Sequence, residues 1–153
     1  MIAILVMTIG VLGTYALVSR VISATSLSVS QLTASYLAQE GLELVRNVRD
    51  TNFLRMRQGE EIEWTDGLLG CSAGCERDHN DAAFAPYQDR FLKNTGSFYA
   101  YDSGQDTQFK RKTTITRPSA NTLEILVEVN WQDRGTISRQ VQAAEKLYNW
   151  FTP

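Results

Sequence analysis

The first nineteen residues, MIAILVMTIGVLGTYALVS, carry no charge, and the first charged side chain is Arg20. As a helix they span about 28 Å, close to the hydrocarbon thickness of a bilayer. A cleaved secretory signal calls for a basic n-region, a shorter apolar core and a small-residue cleavage site. No basic residue stands at the start of this segment. Ser19-Arg20-Val21 is a poor cleavage site, and Ala24-Thr25-Ser26 is a better one. A buried core helix would carry a polar stripe, which Thr8, Thr14 and Tyr15 do not form. Residues 1–20 therefore read as a membrane span, and Gly10 and Gly13 fit one, since glycine is commoner in membrane helices than in soluble ones. Lys and Arg gather on the cytoplasmic side of a span. Arg20 at the C-terminal end would by itself place the polar remainder inside the cell, whereas the two cysteines argue for the outside.

The helical pattern continues past Arg20. No proline occurs between Val21 and Met56, and Gly41 is the single glycine there. Residues 21–56 therefore read as the exposed half of one long helix. Its Ser- and Thr-rich first part (21–35) suits a membrane interface, with a flexible linker as the competing reading. Leu37, Leu44, Val45 and Val48 lie at helical spacing on one side, while Glu40, Glu43, Arg46, Arg49 and Asp50 cover the other. Glu43 with Arg46, and Arg46 with Asp50, are spaced for surface ion pairs. A helix from Met1 to about Phe53 would be about 80 Å long, and only its second half can pack on a domain of this size.

Residues 57–153 complete the domain. The stretch from Gly59 to Asn94 is polar and broken by Gly67, Gly70, Gly74 and Pro86; a loop of that length implies function or internal cross-linking. Strand signals follow. Ser97–Tyr101 is short and aromatic, and residues 109–116 become β-branched. Leu123, Ile125, Val127, Val129 and Trp131 alternate with more polar neighbours, the pattern of a strand with one buried face. Gln132–Gly135 reads as a turn. Thr136–Ala144 alternates again, with Ile137, Arg139, Val141 and Ala143 on one side. Leu147, Tyr148, Trp150 and Phe151 form a terminal cluster that docks on the domain. The fold class is α+β, a long helix on a small antiparallel sheet, with Leu37, Leu44, Val45, Val48 and Trp131 as the helix–sheet contact.

The chemistry-bearing residues are few. Cys71-Ser-Ala-Gly-Cys75 precedes the single His79, flanked by Asp78 and Asp81. Zinc needs about four ligands, and no second ligand pair follows. The spacing is one residue longer than a C-x-x-C redox motif. A local disulfide is the first reading, two free thiols the next and zinc the last. A disulfide would stabilise by at most about 2 kcal/mol over so short a loop and would place the domain in an oxidising compartment. Asp102 to Asp106 has too few ligands for a calcium loop and reads as a plain turn. Glu60, Glu61 and Glu63 read as solvated surface. The run Phe109-Lys-Arg-Lys112 reads as a solvated strand edge rather than a polyanion site. With a net charge of −2, no nucleic acid partner is expected. No nucleophile–base pattern or phosphate loop occurs, so no enzyme, cofactor or metal is expected.

The order of these segments resembles type IV pilin-like proteins. SYLAQEGLELVRNVRDTNFL (35–54) is similar to the end of the long helix in bacterial minor pilins and in pseudopilins of the type II secretion class. GSFYAYDSG (96–104), FKRKTTI (109–115), VEVNW (127–131) and LYNW (147–150) are similar to their sheet segments. The family's basic leader, processing glycine and Phe-Thr-Leu-Ile-Glu-like start are missing. The expectation is that the chain begins at an internal methionine or is a fragment. A prepilin peptidase is a partner only where a leader precedes Met1. The resemblance implies an assembly role, more as a minor than as a bulk subunit. The helix is held in the plasma membrane with the domain extracytoplasmic. Its residues Ile4, Leu5, Ile9, Leu12 and Leu17 then exchange the bilayer for the helices of other pilin-like subunits in a filament. The alternatives are a single-pass anchored binding domain outside any fibre, and a secreted hydrolase that would use His79.

Overall fold

The computed structural model describes residues 2–133 and 137–151, except the side chains at 4–6, 8 and 9. Its architecture is α+β. One helix, α1 (Ile2–Arg57), precedes β1 (Cys75–Glu76), β2 (Ala85–Pro86), β3 (Lys93–Asn94), β4 (Tyr99–Ala100), β5 (Gln105–Asp106), β6 (Lys110–Ser119), β7 (Thr122–Asp133) and β8 (Ile137–Tyr148). The chain divides into two units, Met1–Thr33 and Ala34–Pro153.

The first unit is helix alone. Every described residue from Ile2 to Ile22 is exposed.

In the second unit, α1 lays one face on an antiparallel sheet of order β2-β1-β6-β7-β8; β4-β3-β5 form a second, small sheet. The buried helix positions are Ala34, Leu37, Ala38, Gly41, Val45, Asn52 and Phe53, with Leu42, Val48 and Met56 partly buried beside them. That is the i, i+3, i+4, i+7 spacing of a single helical stripe. Leu37, Val45 and Val48 thus lie where helical spacing expected them. Leu44 is partly buried at the margin of this stripe and is not among the residues packed on the core. The sequence reading also passed over the small residues Ala34, Ala38 and Gly41. At Gly41 the helix backbone lies tight against the sheet: a Cβ there would lie 2.7 Å from Val127 Cγ1 and 3.3 Å from Arg111 Cδ.

Strand β7 buries Leu123, Ile125, Val127, Val129 and Trp131 and turns the alternate residues outward. Trp131 packs against Phe109, ring centroids 6.0 Å apart. Strand β8 runs four residues beyond the expected end and carries Leu147 (buried) and Tyr148 (exposed) within it. At its start, Ile137 and Arg139 are exposed, while Val141 and Ala143 are partly buried. Of the expected turn, Arg134 and Gly135 lie outside the described residues, as does Thr136; Gln132 and Asp133 belong to β7. Only Tyr99–Ala100 of the expected 97–101 strand is β, and it belongs to the smaller sheet.

Helix α1 ends at Arg57, and Gly59 reverses the chain at φ +88°, a conformation glycine adopts without steric cost. Asn52, buried on the last turns, donates from Nδ2 to the carbonyls of Trp64 (3.2 Å) and Asp66 (2.8 Å). This holds the returning segment against the helix and brings Trp64 into a stacked contact with Phe53 at 6.2 Å. Trp150 and Phe151 close on the same Phe53 ring at 4.8 and 5.7 Å, although Trp150 remains 67% exposed.

Gly41→Val is expected to destabilise the domain by about 1–3 kcal/mol, because the added methyls meet a close-packed valine. Gly10→Val, whose Cβ meets nothing within 4 Å, should leave the urea midpoint of the solubilised chain unchanged.

Candidate functional site

Two features of the chain go beyond what folding a small domain requires. One is the surface of the first unit. Leu12 and Leu17 are 67% and 65% exposed, and Val11, Tyr15 and Val18 are similarly bare. The helix is long and apolar enough to cross a membrane by length and composition. Four of its hydroxyls are directed back at the helix. Thr14 Oγ1 donates to Val11 O (2.9 Å), Ser23 Oγ to Ser19 O (2.8 Å), Thr25 Oγ1 to Val21 O (3.0 Å) and Ser28 Oγ to Ala24 O (3.0 Å). A hydroxyl satisfied within its own helix can sit beside lipid or another helix without an unpaired donor. Of the other residues expected to pack here, Ile4, Leu5 and Ile9 have side chains outside the described residues.

The second feature is the way the loop region is held. Arg111 was expected on a solvated strand edge. Instead β6 lies inside the sheet between β1 and β7, and Arg111 is 1% exposed. Its guanidinium donates to Leu37 O of α1 (3.2 Å) and to Arg77 O of the loop (2.8 Å), with Glu40 Oε2 at 3.4 Å. A buried cation is tolerable only when paired and hydrogen-bonded in this way. The Arg111 carbonyl accepts from the Tyr101 hydroxyl at 3.2 Å. Burial pushes that hydroxyl up to about 12 against the opposing pull of the guanidinium. The outward neighbours Lys110 and Lys112 are half-buried.

Two buried carboxylates fasten the rest. Glu76 accepts from the backbone N–H groups of Gln88 and Arg90 (both 3.1 Å) and from Arg90 Nε (2.7 Å). That bond, together with the carboxylate's charge, holds the Arg90 guanidinium above its usual range. Asp78, fully buried, accepts from Tyr101 N (2.7 Å), Asn80 N (2.8 Å) and Asp81 N (3.2 Å), while Asp81 Oδ2 accepts from Asp78 N (2.9 Å). Cys71 and Cys75 are at disulfide distance, 2.05 Å between sulfurs, and both are buried. The residues of the zinc reading therefore do different work: the sulfurs are bonded to each other, Asp78 and Asp81 bind backbone, and the His79 ring packs tilted by 34° against Phe98 with centroids 4.8 Å apart. No group of three or more His, Cys, Asp or Glu residues is placed to hold a metal among the described residues. Asp102 is exposed, and Asp106 lies in β5 opposite Lys93.

On the helix surface, Arg46 pairs with Glu43 as expected. Its second partner is Glu145 of β8 (2.7 Å) rather than Asp50, which pairs with Arg49 (2.8 Å). No family model, curated protein or solved structure matches the chain.

Glu76→Ala leaves the Gln88 and Arg90 amides without their acceptor and is expected to cost about 2–3 kcal/mol. Reducing the disulfide should cost at most about 2 kcal/mol. Amide hydrogen exchange checks the assignment: Glu76→Ala should lose protection at Gln88 and Arg90 and retain it at Asn80, Asp81 and Tyr101.

Proposed function

We propose that the chain is a structural subunit of a pilin-like filament, of the minor pilin or type II secretion pseudopilin class. In this reading it is held in the plasma membrane by its N-terminal helix before assembly, with its domain outside the cytoplasm, and it is not an enzyme. The observation that carries the reading is the contrast along α1. From Ile2 to Ser19 the helix is uncharged and its described residues are exposed. From Ala34 onward it buries a stripe against an antiparallel sheet. A helix with such a first part can exchange lipid contacts for contacts with equivalent helices at little cost, since both surroundings are apolar. The Cys71–Cys75 pair fits an oxidising location for the domain. The partners are other pilin-like subunits through the N-terminal helix, the bilayer before assembly and, where a leader precedes Met1, a prepilin peptidase.

The test is photo-cross-linking in cells with a benzophenone attached to a cysteine placed on the exposed helix surface, Leu17→Cys, because the excited ketone inserts into C–H bonds of whichever chain packs beside it. The native cysteines are already paired and do not compete. A filament subunit gives a ladder of cross-linked species containing pilin-like chains. A single-pass anchored binding domain gives monomer and, at most, a collisional dimer. That result would replace the filament reading with the anchored-domain one.

A further inference from the structure

The larger sheet ends in a groove of about 690 Å³ on its solvent side, and we propose that it binds a neutral pyranose oligosaccharide. This goes beyond the filament reading and does not depend on it, since a solitary anchored domain would carry the same groove.

The floor is built by strand register. Lys110 of β6 lies opposite Asn130 of β7, and Gln132 of β7 lies opposite Ser138 of β8. These are the outward positions of strands whose inward positions, Arg111, Val129 and Trp131, are buried. Successive side chains of a strand point to opposite faces, so the three strands present an ammonium, two amides and a hydroxyl side by side. Asp89 and Phe91 form a wall. Asp89 is the sole non-glycine residue with positive φ (+59°) among the described residues, a conformation that Asp and Asn tolerate better than other side chains. Its carboxylate accepts from the Tyr87 hydroxyl (2.7 Å) and from the Lys110 ammonium. Those two donors also hold the Asp89 carboxyl below its usual range, against a slight opposing effect of burial. The ammonium lies 4.5 Å from the centroid of the Phe91 ring. Phe91 thus has the Lys110 ammonium against its ring and stays 47% exposed.

The ligand class follows from this lining. The Lys110 charge is offset by Asp89, and Arg139 faces Asp133 at 3.8 Å. No unpaired charge is left to recruit a phosphate or an acidic peptide. An apolar peptide would need apolar subsites, and the floor offers amides and a hydroxyl instead. Asn, Gln and Ser side chains both donate and accept. That combination matches the vicinal hydroxyls of a sugar, each of which donates and accepts. A half-exposed aromatic ring matches the C–H face of a pyranose, and the groove's volume lies in the range of small-molecule sites.

The experiment uses the full chain in a detergent without a sugar headgroup. It is screened on an array of neutral, amino and acidic oligosaccharides and then titrated with the best neutral one. Phe91→Ala and Gln132→Ala are compared with the parent, and both sites are exposed enough for the unfolding midpoint to stay unchanged. The expected result is binding to a neutral oligosaccharide that weakens at least tenfold in each variant. No neutral oligosaccharide bound at millimolar concentration would overturn the proposal. So would binding confined to acidic sugars and abolished by salt, or binding that neither variant weakens.

Discussion

The guanidinium of Arg111 joins three parts of the domain that have little else in common. Through one nitrogen it reaches a helix carbonyl at Leu37, through another a loop carbonyl at Arg77, and its own backbone belongs to the centre of the sheet. The path to the helix is open because residue 41 is glycine: a side chain there would meet the Arg111 stem as well as Val127. Close approach of helix and sheet, burial of the cation and docking of the loop are therefore one arrangement. The cation could not be buried without the two carbonyls and nearby Glu40. The helix could not lie so close to β7 with a larger residue at its contact point.

This coupling explains what could be read from the sequence. The period-two pattern of β7 identified its buried face because Leu123, Ile125, Val127, Val129 and Trp131 are all large and apolar. The same period runs from Phe109 into β6 as Arg111, Thr113 and Ile115, all buried. It was obscured because one member is an arginine in a basic run. Read by alternation rather than by charge, Arg111 falls on the inner face. On the helix, the large apolar residues Leu37, Val45 and Val48 mark the stripe and Leu44 its margin, whereas the small residues that allow the close approach carry no hydrophobic signal. The roles of Glu76 and Asp78 were not legible at all. Their partners are mostly backbone amides, some of them 12 to 23 residues away in sequence, and backbone amides leave no side-chain signature.

The long segment between α1 and β6 buries Trp64, Leu68, Leu92 and Tyr101 in the core and is pinned between these anchors by polar groups. Asn52 holds its beginning, and Glu76 and Asp78 hold its middle. The disulfide and the short pairing of Cys75 with Thr113 fix Cys71–Cys75 to the sheet. Buried carboxylates that accept two or three N–H donors act here as local cross-links, each specific for one backbone path. The domain can therefore carry a long, irregular surface on a small apolar core. That surface and the sheet end beside it are what such a domain presents to its surroundings.

Anchoring through α1 requires the first unit to be surrounded by hydrocarbon. The most direct measurement is collision accessibility of nitroxide labels at Leu12, Leu17 and Asn47 in the full chain reconstituted into vesicles. The account predicts that labels at Leu12 and Leu17 collide readily with oxygen and little with a water-soluble nickel chelate, and that Asn47 shows the reverse. Ready collision of the chelate with the labels at Leu12 and Leu17 would contradict it.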